Sequence, residues 1–328
     1  MVATCITCVA IACRVRYRPR VGAKLVLYLL ALRERLREVR AFFRSPLRVS
    51  FATPAQPSTA RVLLYGVPFA DWNATLSDGA LWRDVKGVGH VWRLPALPVL
   101  AAPIAGPPGI VIPIKTGHAR HLPRGWRALA PNNVSIQALG NKIRFATYMT
   151  AHSFDDACPA TYAGPDDAVF PCVLKLADRS ASWGVTVAHS RAELDALLES
   201  PTYSGCACTL QALVPGPTEY ATYCVCKDGA ILWHCTFVTE VAGPETIKSE
   251  DTVLSRCKIE TPTPIVRAIE RVLAPLAYSG PCNLDYKLAP DGTIRIFEIN
   301  PRLGGTLMMP QYGAELRQAL NTIVANAT

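Results

Sequence analysis

A chain of 328 residues, half of them apolar and only 18% charged, can bury a sizeable core divided among two or three lobes, which excludes a disordered tail or a small disulfide scaffold. The net charge of +9 sits entirely in residues 1–48, where ten Arg and one Lys face only Glu34 and Glu38, so the remaining body is balanced. A balanced body lacks the basic surface stripe of a nucleic-acid reader, and no nucleic-acid partner is expected.

The first 48 residues begin with a short apolar run and the basic cluster Arg14, Arg16, Arg18 and Arg20. Neither is long enough to span a bilayer. Leu25, Leu29, Leu32, Leu36, Val39 and Phe43 then recur at helical spacing, with Arg33, Arg37, Arg40 and Arg44 off that stripe. Three readings of this amphipathic segment stay open: peripheral membrane contact through residues 1–48, an organellar presequence, and a helix packed on its own body. Twelve cysteines in a large chain without a convincing cleavable signal point to a reducing, cytoplasmic compartment. Cys5 and Cys8 lack the second half that a zinc site needs, while Cys206 with Cys208 and Cys224 with Cys226 carry strand spacing.

Residues 45–59 are rich in Pro, Ser and Thr and read as a linker, closing a first segment 1–59. RVLLYG (61–66) and GIVIPI (109–114) are buried-strand patterns, separated by sequence without clear periodicity. A helical pattern follows over 133–152, then a strand at 171–177, and a capping box at Ser190 and Glu193 opens another helix. Strands are predicted at 208–214, 219–226 and 230–238, the last two joined by Asp228-Gly229. Thr263 and Pro264 start a further helix, and NLDYKLA and TIRIFEIN flank a turn at Asp291-Gly292.

A two-residue turn at Asp291-Gly292 sets Asp285 opposite Glu298, with Asn300 on the same face, so three oxygen-bearing side chains converge. Such hard donors select Mg²⁺ or Mn²⁺. Pro290 cannot donate to the ladder, so a longer loop with a shifted register is the alternative. Leu284, Ile296, Phe297 and Ile299 surround the carboxylates with apolar groups, which argues for a bound cation over a solvated face. Lys175 stands inside an apolar strand, where a buried ammonium needs an anion. Lys248 and Arg256 are candidates for contact with an anionic substrate, though such residues are more often surface charges. The six histidines form no triad or metal spacing, and no nucleophile elbow appears.

CNLDYKLAPDG followed by FEINPRLGG (297–305) closely resembles the metal-binding end of ATP-grasp carboxylate–amine ligases, and the resemblance extends over residues 133–305. It implies an α/β protein: a shortened N-terminal α/β domain at 60–132, then an ATP-grasp domain at 133–328 with two α+β lobes built on antiparallel sheets. By the same resemblance Asp285, Glu298 and Asn300 hold Mg²⁺ or Mn²⁺, and Arg302 faces the transferring phosphoryl group as the catalytic residue. Lys142 and Lys175 reach the phosphates of ATP, and Ser182 lies in the phosphate-covering loop 178–185. That loop departs from the family pattern in carrying one glycine, Gly184, beside Trp183. Backbone groups of Gln211 and Val214 bond adenine, and Glu219 takes the ribose hydroxyls. The expected activity is joining a small-molecule carboxylate to an amine or ammonia through an acyl phosphate. The alternatives are a nucleotide-binding protein without turnover and a membrane-tethered scaffold.

Overall fold

The computed structural model describes residue 40, residues 47–51, residues 59–179 and residues 182–328. The expectations placed on residues 1–39, 41–46 and 52–58, and on positions 180 and 181 of the loop 178–185, lie outside the described residues. Among the described residues no helix is long and apolar enough to cross a membrane.

The first sheet contains β1 (Arg48–Val49), β2 (Ala60–Tyr65), β3 (Val88–Leu94) and β4 (Ile110–Pro113) in the order β1-β3-β2-β4. β2 runs parallel to β3 and β4, while β1 is antiparallel to β3. Val62, Leu63, Leu64 and Tyr65 of β2 are all buried, as expected for a central parallel strand covered on both faces. Helices α1 (Ala70–Ser77) and α2 (Gly79–Arg83) pack Trp72, Leu76 and Trp82 against Val62 and Leu64. On the opposite face, α3 (Ala101–Ala105) packs against Leu63 and Tyr65. Two residues of the presumed linker thus belong to this sheet as β1. β3 escaped the sequence reading because Gly89, His90 and Arg93 interrupt its apolar pattern, although Arg93 is buried in the fold.

The helical pattern of 133–152 is two helices, α4 (Asn133–Leu139) and α5 (Lys142–Ala151). Gly140 closes the first. Asn141 caps the second, its side-chain oxygen accepting from the Ile143 and Arg144 N–H groups at 3.0 and 3.1 Å.

A small lobe follows, comprising β5 (Thr161–Tyr162), β6 (Cys172–Leu176), β7 (Val185–Ala188), α6 (Arg191–Glu199) and β8 (Cys208–Ala212). Its sheet is antiparallel in the order β5-β8-β6-β7. Leu174, Leu176, Leu194, Tyr203 and Leu210 give it a separate core. At α6, Ser190 Oγ accepts from the Glu193 N–H at 3.3 Å, but the Glu193 carboxylate returns to the His189 N–H at 2.7 Å, one residue earlier than a standard capping box. Cys206 precedes β8, so it does not share a strand face with Cys208.

The large sheet holds β9 (Thr218–Lys227), β10 (Ala230–Val241), β11 (Val253–Ile259), β12 (Gly280–Leu288) and β13 (Ile294–Asn300), in the antiparallel order β11-β10-β9-β12-β13. Asp228 and Gly229 both take positive φ, 51° and 88°, forming the expected two-residue turn. One face presents Cys224, Cys226, Leu284 and Tyr286 to Ile265, Ile269 and Val272 of α7 (Thr263–Leu273). The other presents Tyr223, Val225 and Phe237 to Leu316, Leu320 and Ile323 of α8 (Gly313–Asn326), in a core shared with Val62 and Leu64.

β12 and β13 pair Asn283 with Asn300, Leu284 with Ile299 and Asp285 with Glu298. The turn between them differs from the expected one. It has three residues, Pro290, Asp291 and Gly292, with Gly292 at φ 80° and the Ala289 N–H donating to the Thr293 carbonyl at 2.8 Å. Beyond this loop Leu288 pairs with Ile294, a register offset by one, and a bulge between Tyr286 and Asp285 restores it by leaving Phe297 without an opposite residue. Proline's missing N–H explains the longer turn. The bulge also turns two consecutive side chains, Phe297 and Glu298, away from the α7 face, where Ile296 and Ile299 remain buried.

Candidate functional site

A cavity of about 750 Å³ lies between the small-lobe sheet and the large sheet, walled at one end by α1. Its floor follows from strand alternation. Glu219 and Ala221 of β9, Asn283, Asp285 and Lys287 of β12, and Glu298 and Asn300 of β13 share the face opposite α7. The small lobe adds Lys175 from β6 and the segment Ala212 to Val214, and α5 adds Lys142 at its first residue.

The sequence-predicted carboxylates meet here, each steadied by an amide. Asn283 Nδ2 donates to Asp285 Oδ2 at 3.2 Å, and Asn300 Nδ2 donates to Glu298 Oε1 at 3.0 Å. Lysines stand at their outer oxygens. Lys142 Nζ is 3.2 Å from Glu298 Oε2, while Lys248 Nζ is 3.2 Å from Asp285 Oδ1 and in contact with the Glu219 carboxylate. Arg302 Nη1 donates to the Leu303 carbonyl at 2.9 Å, and its guanidinium lies 5.5 Å from the centre of the Trp72 ring. The lining holds six basic side chains, Lys142, Lys175, Lys248, Arg256, Lys287 and Arg302, against five acidic ones, Asp71, Glu219, Glu250, Asp285 and Glu298, so its charge is nearly balanced, with lysines standing directly at the floor carboxylates.

Lys175 is nearly sealed from solvent at 7% exposure. Its Nζ donates to Gln211 Oε1 at 2.7 Å and lies 5.0 Å from the centre of the Phe297 ring. Burial brings its pKa down to about 8, against the pull of Glu298. Burial also works against the charge of Lys248, but Asp285 and Glu219 outweigh it and hold its pKa well above the ordinary value. Glu219 is raised, by burial first and by the neighbouring Asp285 charge, since two carboxylates share one ammonium. Burial opposes ionisation of Glu298, but Lys142 and the Asn300 amide hold its carboxyl below the usual range.

Several assignments shift in detail. Gln211 does not border the cavity. β8 runs between β5 and β6, so its backbone faces ladder neighbours on both sides, and its buried side chain orients Lys175 instead. The Val214 carbonyl accepts from Lys287 Nζ at 3.2 Å, and the Gly216 carbonyl accepts from the same ammonium at 2.6 Å. Ser182 borders the cavity with φ 59°, its carbonyl accepting from the Val185 N–H at 3.2 Å. Gly184 at φ 70° leaves no room for a Cβ, which would sit 2.3 Å from Leu176 Cδ1.

Sequence reasoning missed Lys287 and Asn283, although both lie two residues from Asp285 on one strand face, and period-two alternation was signal enough. It also missed Tyr223, whose hydroxyl accepts from the Thr306 N–H at 3.3 Å and fixes the segment after Arg302. No local signal marks that contact, which joins positions 83 residues apart.

Asp285, Glu298 and Asn300 fit a divalent cation by their hard oxygen donors. Asn283 Oδ1, buried beside Asp285 without a hydrogen-bond partner, is a further acceptor suited to a group arriving from the cavity.

Two antiparallel sheets facing a cleft with paired carboxylates and lysines on its floor describe the ATP-grasp fold. Solved structures agree. D-alanine–D-alanine ligase from Bacillus anthracis, complexed with ATP, matches with TM-score 0.54 at 14% identity, covering 80% of this chain and 99% of that one. Phosphoribosylamine–glycine ligase from Thermotoga maritima matches with TM-score 0.56 at 16% identity, covering 77% and 70%. L-amino acid ligase from Bacillus licheniformis matches with TM-score 0.51 at 14% identity, covering 83% and 76%. The sequence matches no protein-family model and no curated protein. The chain therefore has an ATP-grasp fold, a likeness of structure at low identity.

Proposed function

We propose that this chain is an ATP-dependent ligase that activates a small-molecule carboxylate and joins it to an amine or ammonia. The observation that carries the reading is the meeting of Asp285, Glu298 and Asn300 with Lys142, Lys175, Lys248 and Arg302 in one cleft between two antiparallel sheets. Residues 60–132, together with β1, supply the outer wall, and residues 133–328 supply the nucleotide cleft.

Asp285, Glu298 and Asn300 would hold Mg²⁺ or Mn²⁺, which supplies charge neutralisation on the triphosphate. Lys142, whose N–H donates to the Ala177 carbonyl just past β6, and Lys175 of β6 itself both border the cavity and would hold the phosphate oxygens. Ser182 and the segment Ala212 to Val214 lie on the small-lobe side, where the covering loop and the base would sit, with Glu219 placed for the ribose hydroxyls. The carboxylate oxygen attacks the γ-phosphorus, ADP leaves, and an amine then captures the acyl phosphate with loss of phosphate. Arg302, fixed by the Leu303 carbonyl and flanked by Trp72, presents a guanidinium to the negative charge that develops at both steps. Positioning and charge stabilisation supply most of the rate.

The test is calorimetric titration with ADP in the presence and absence of Mg²⁺, then phosphate release from ATP with pools of carboxylates and amines. Mg²⁺-dependent nucleotide binding with substrate-stimulated phosphate release supports the ligase. Binding without stimulation by any pool favours a nucleotide-binding protein without turnover, and absence of binding overturns both.

A further inference from the structure

At the far side of the cavity from Glu298, a largely buried cation has only an exposed carboxylate as its anion. Arg256 lies on β11 across from Thr239 of β10, which itself lies across from Glu219 of β9, so all three occupy the cavity face. The Arg256 side chain is only 14% exposed. Its Nε donates to Thr239 Oγ1 at 3.3 Å and its Nη1 to Met309 Sδ at 3.3 Å, both weak neutral acceptors. The nearest carboxylate, Glu250, is 3.6 Å away and 81% exposed, a surface pair of little strength. A largely buried guanidinium held by such partners is poised for an anion supplied from the cavity.

The walls beside it are apolar. Trp72 of α1 and Met308 are buried, Met309 is half-buried, and Thr75 Oγ1 donates to the Met308 carbonyl at 2.6 Å, tying α1 to this segment. Arg256 and Asp285 stand three strand spacings apart and two residues out of line along the strands, roughly 16 Å at the backbone, which leaves room for a molecule of amino-acid size between the guanidinium and the phosphates.

We propose that this end of the cavity binds an apolar α-amino acid as the amine partner of the reaction, with its carboxylate on Arg256, away from the phosphates, and its side chain against Trp72, Met308 and Met309. The proposal refines the substrate class of the ligase reading and rests on it. A polar or dianionic acid is disfavoured because these three walls offer it no hydrogen-bond donor other than the indole.

The test is binding measured by thermal shift and calorimetry, with and without ADP and Mg²⁺, for leucine, phenylalanine, leucinamide and glutamate. Leucine and phenylalanine are expected to bind, with leucinamide and glutamate weaker by about tenfold or more. Arg256→Gln should weaken leucine binding by at least about tenfold while ADP affinity stays within about twofold, and Arg256→Lys should recover part of the loss. The comparison of leucine with leucinamide in the unmodified protein does not depend on how well the variants fold. Equal binding of leucine and leucinamide, preference for glutamate, or unchanged leucine affinity in a folded Arg256→Gln protein overturns the proposal. Failure of ADP to bind overturns the ligase reading instead, and the amino-acid titration without nucleotide still decides the role of Arg256.

Discussion

Lys248 stands between Glu219 and Asp285, in contact with the first carboxylate and 3.2 Å from the second. Two acids rely on one ammonium. Removing it by Lys248→Met leaves both acids buried and uncompensated, which should destabilise the folded protein by about 2–4 kcal/mol at pH 7. Glu219 is already raised by burial, and loss of the Lys248 charge that opposes this raises it further, so its protonation relieves part of the loss and the deficit shrinks as pH falls toward 5. Urea unfolding of both proteins at pH 5 and pH 7 checks this; a deficit independent of pH would argue against the shared pairing.

The opposed carboxylates Asp285 and Glu298 provide a second expectation. Asp285→Asn and Glu298→Gln should each reduce the Mg²⁺-dependent part of ADP affinity by about tenfold or more while leaving the fold intact, because volume is conserved. Titrations at fixed ADP with varied Mg²⁺ measure the effect, and the reading fails if Mg²⁺ dependence survives both changes.

Lys175 should make the proposed nucleotide binding sensitive to alkaline pH. Its pKa of about 8 in the free protein means that raising pH through this value removes a charge proposed to hold the phosphates. ADP affinity should fall above pH 8, approaching about tenfold per pH unit until the pKa of the complex is reached. Calorimetry between pH 6.5 and 9.5 reads the slope, and Lys175→Met should flatten it.

The same lysine should weaken the unliganded fold. Because its pKa lies below the unfolded value, the unfolded chain binds more protons between pH 8 and the ordinary lysine pKa of 10.5. Its unfavourable contribution is full below pH 8 and fades as pH rises through that window. Lys175→Met is therefore expected to do best relative to the parent near pH 7, offset by loss of the Gln211 hydrogen bond, and to lose that relative advantage above pH 10. Chemical unfolding at the two pH values tests the sign.

Much of this site was legible in the sequence because it is built from strand alternation near one hairpin. Asp285, Glu298 and Asn300 sit at period-two positions, and the opposed pairing of the first two was correctly expected. The reason offered for it was incomplete, since a three-residue turn and the Phe297 bulge compensate each other and neither leaves a mark in the hydrophobic pattern. Long-range contacts were the least accessible. α1 reaches Arg302 through Trp72, and Thr306 is held by Tyr223, pairings that depend on how separate layers stack. β11 was missed for a different reason. As an edge strand with Leu254, Ser255, Cys257 and Lys258 exposed, it shows little apolar alternation.

The separate interior of the small lobe has a mechanical consequence. Val62, Leu64, Val225, Phe237 and Leu320 weld the first sheet, the large sheet and α8 into one mass, whereas Leu174, Leu194 and Leu210 pack only among themselves and their lobe neighbours. Two dense blocks facing each other yield at their seam before either deforms within. For the proposed ligase, the expected movement on ligand entry is therefore a swing of residues 161–212 that changes the separation of Lys175 from Glu298 while Asp285, Arg302 and Arg256 stay on the larger block.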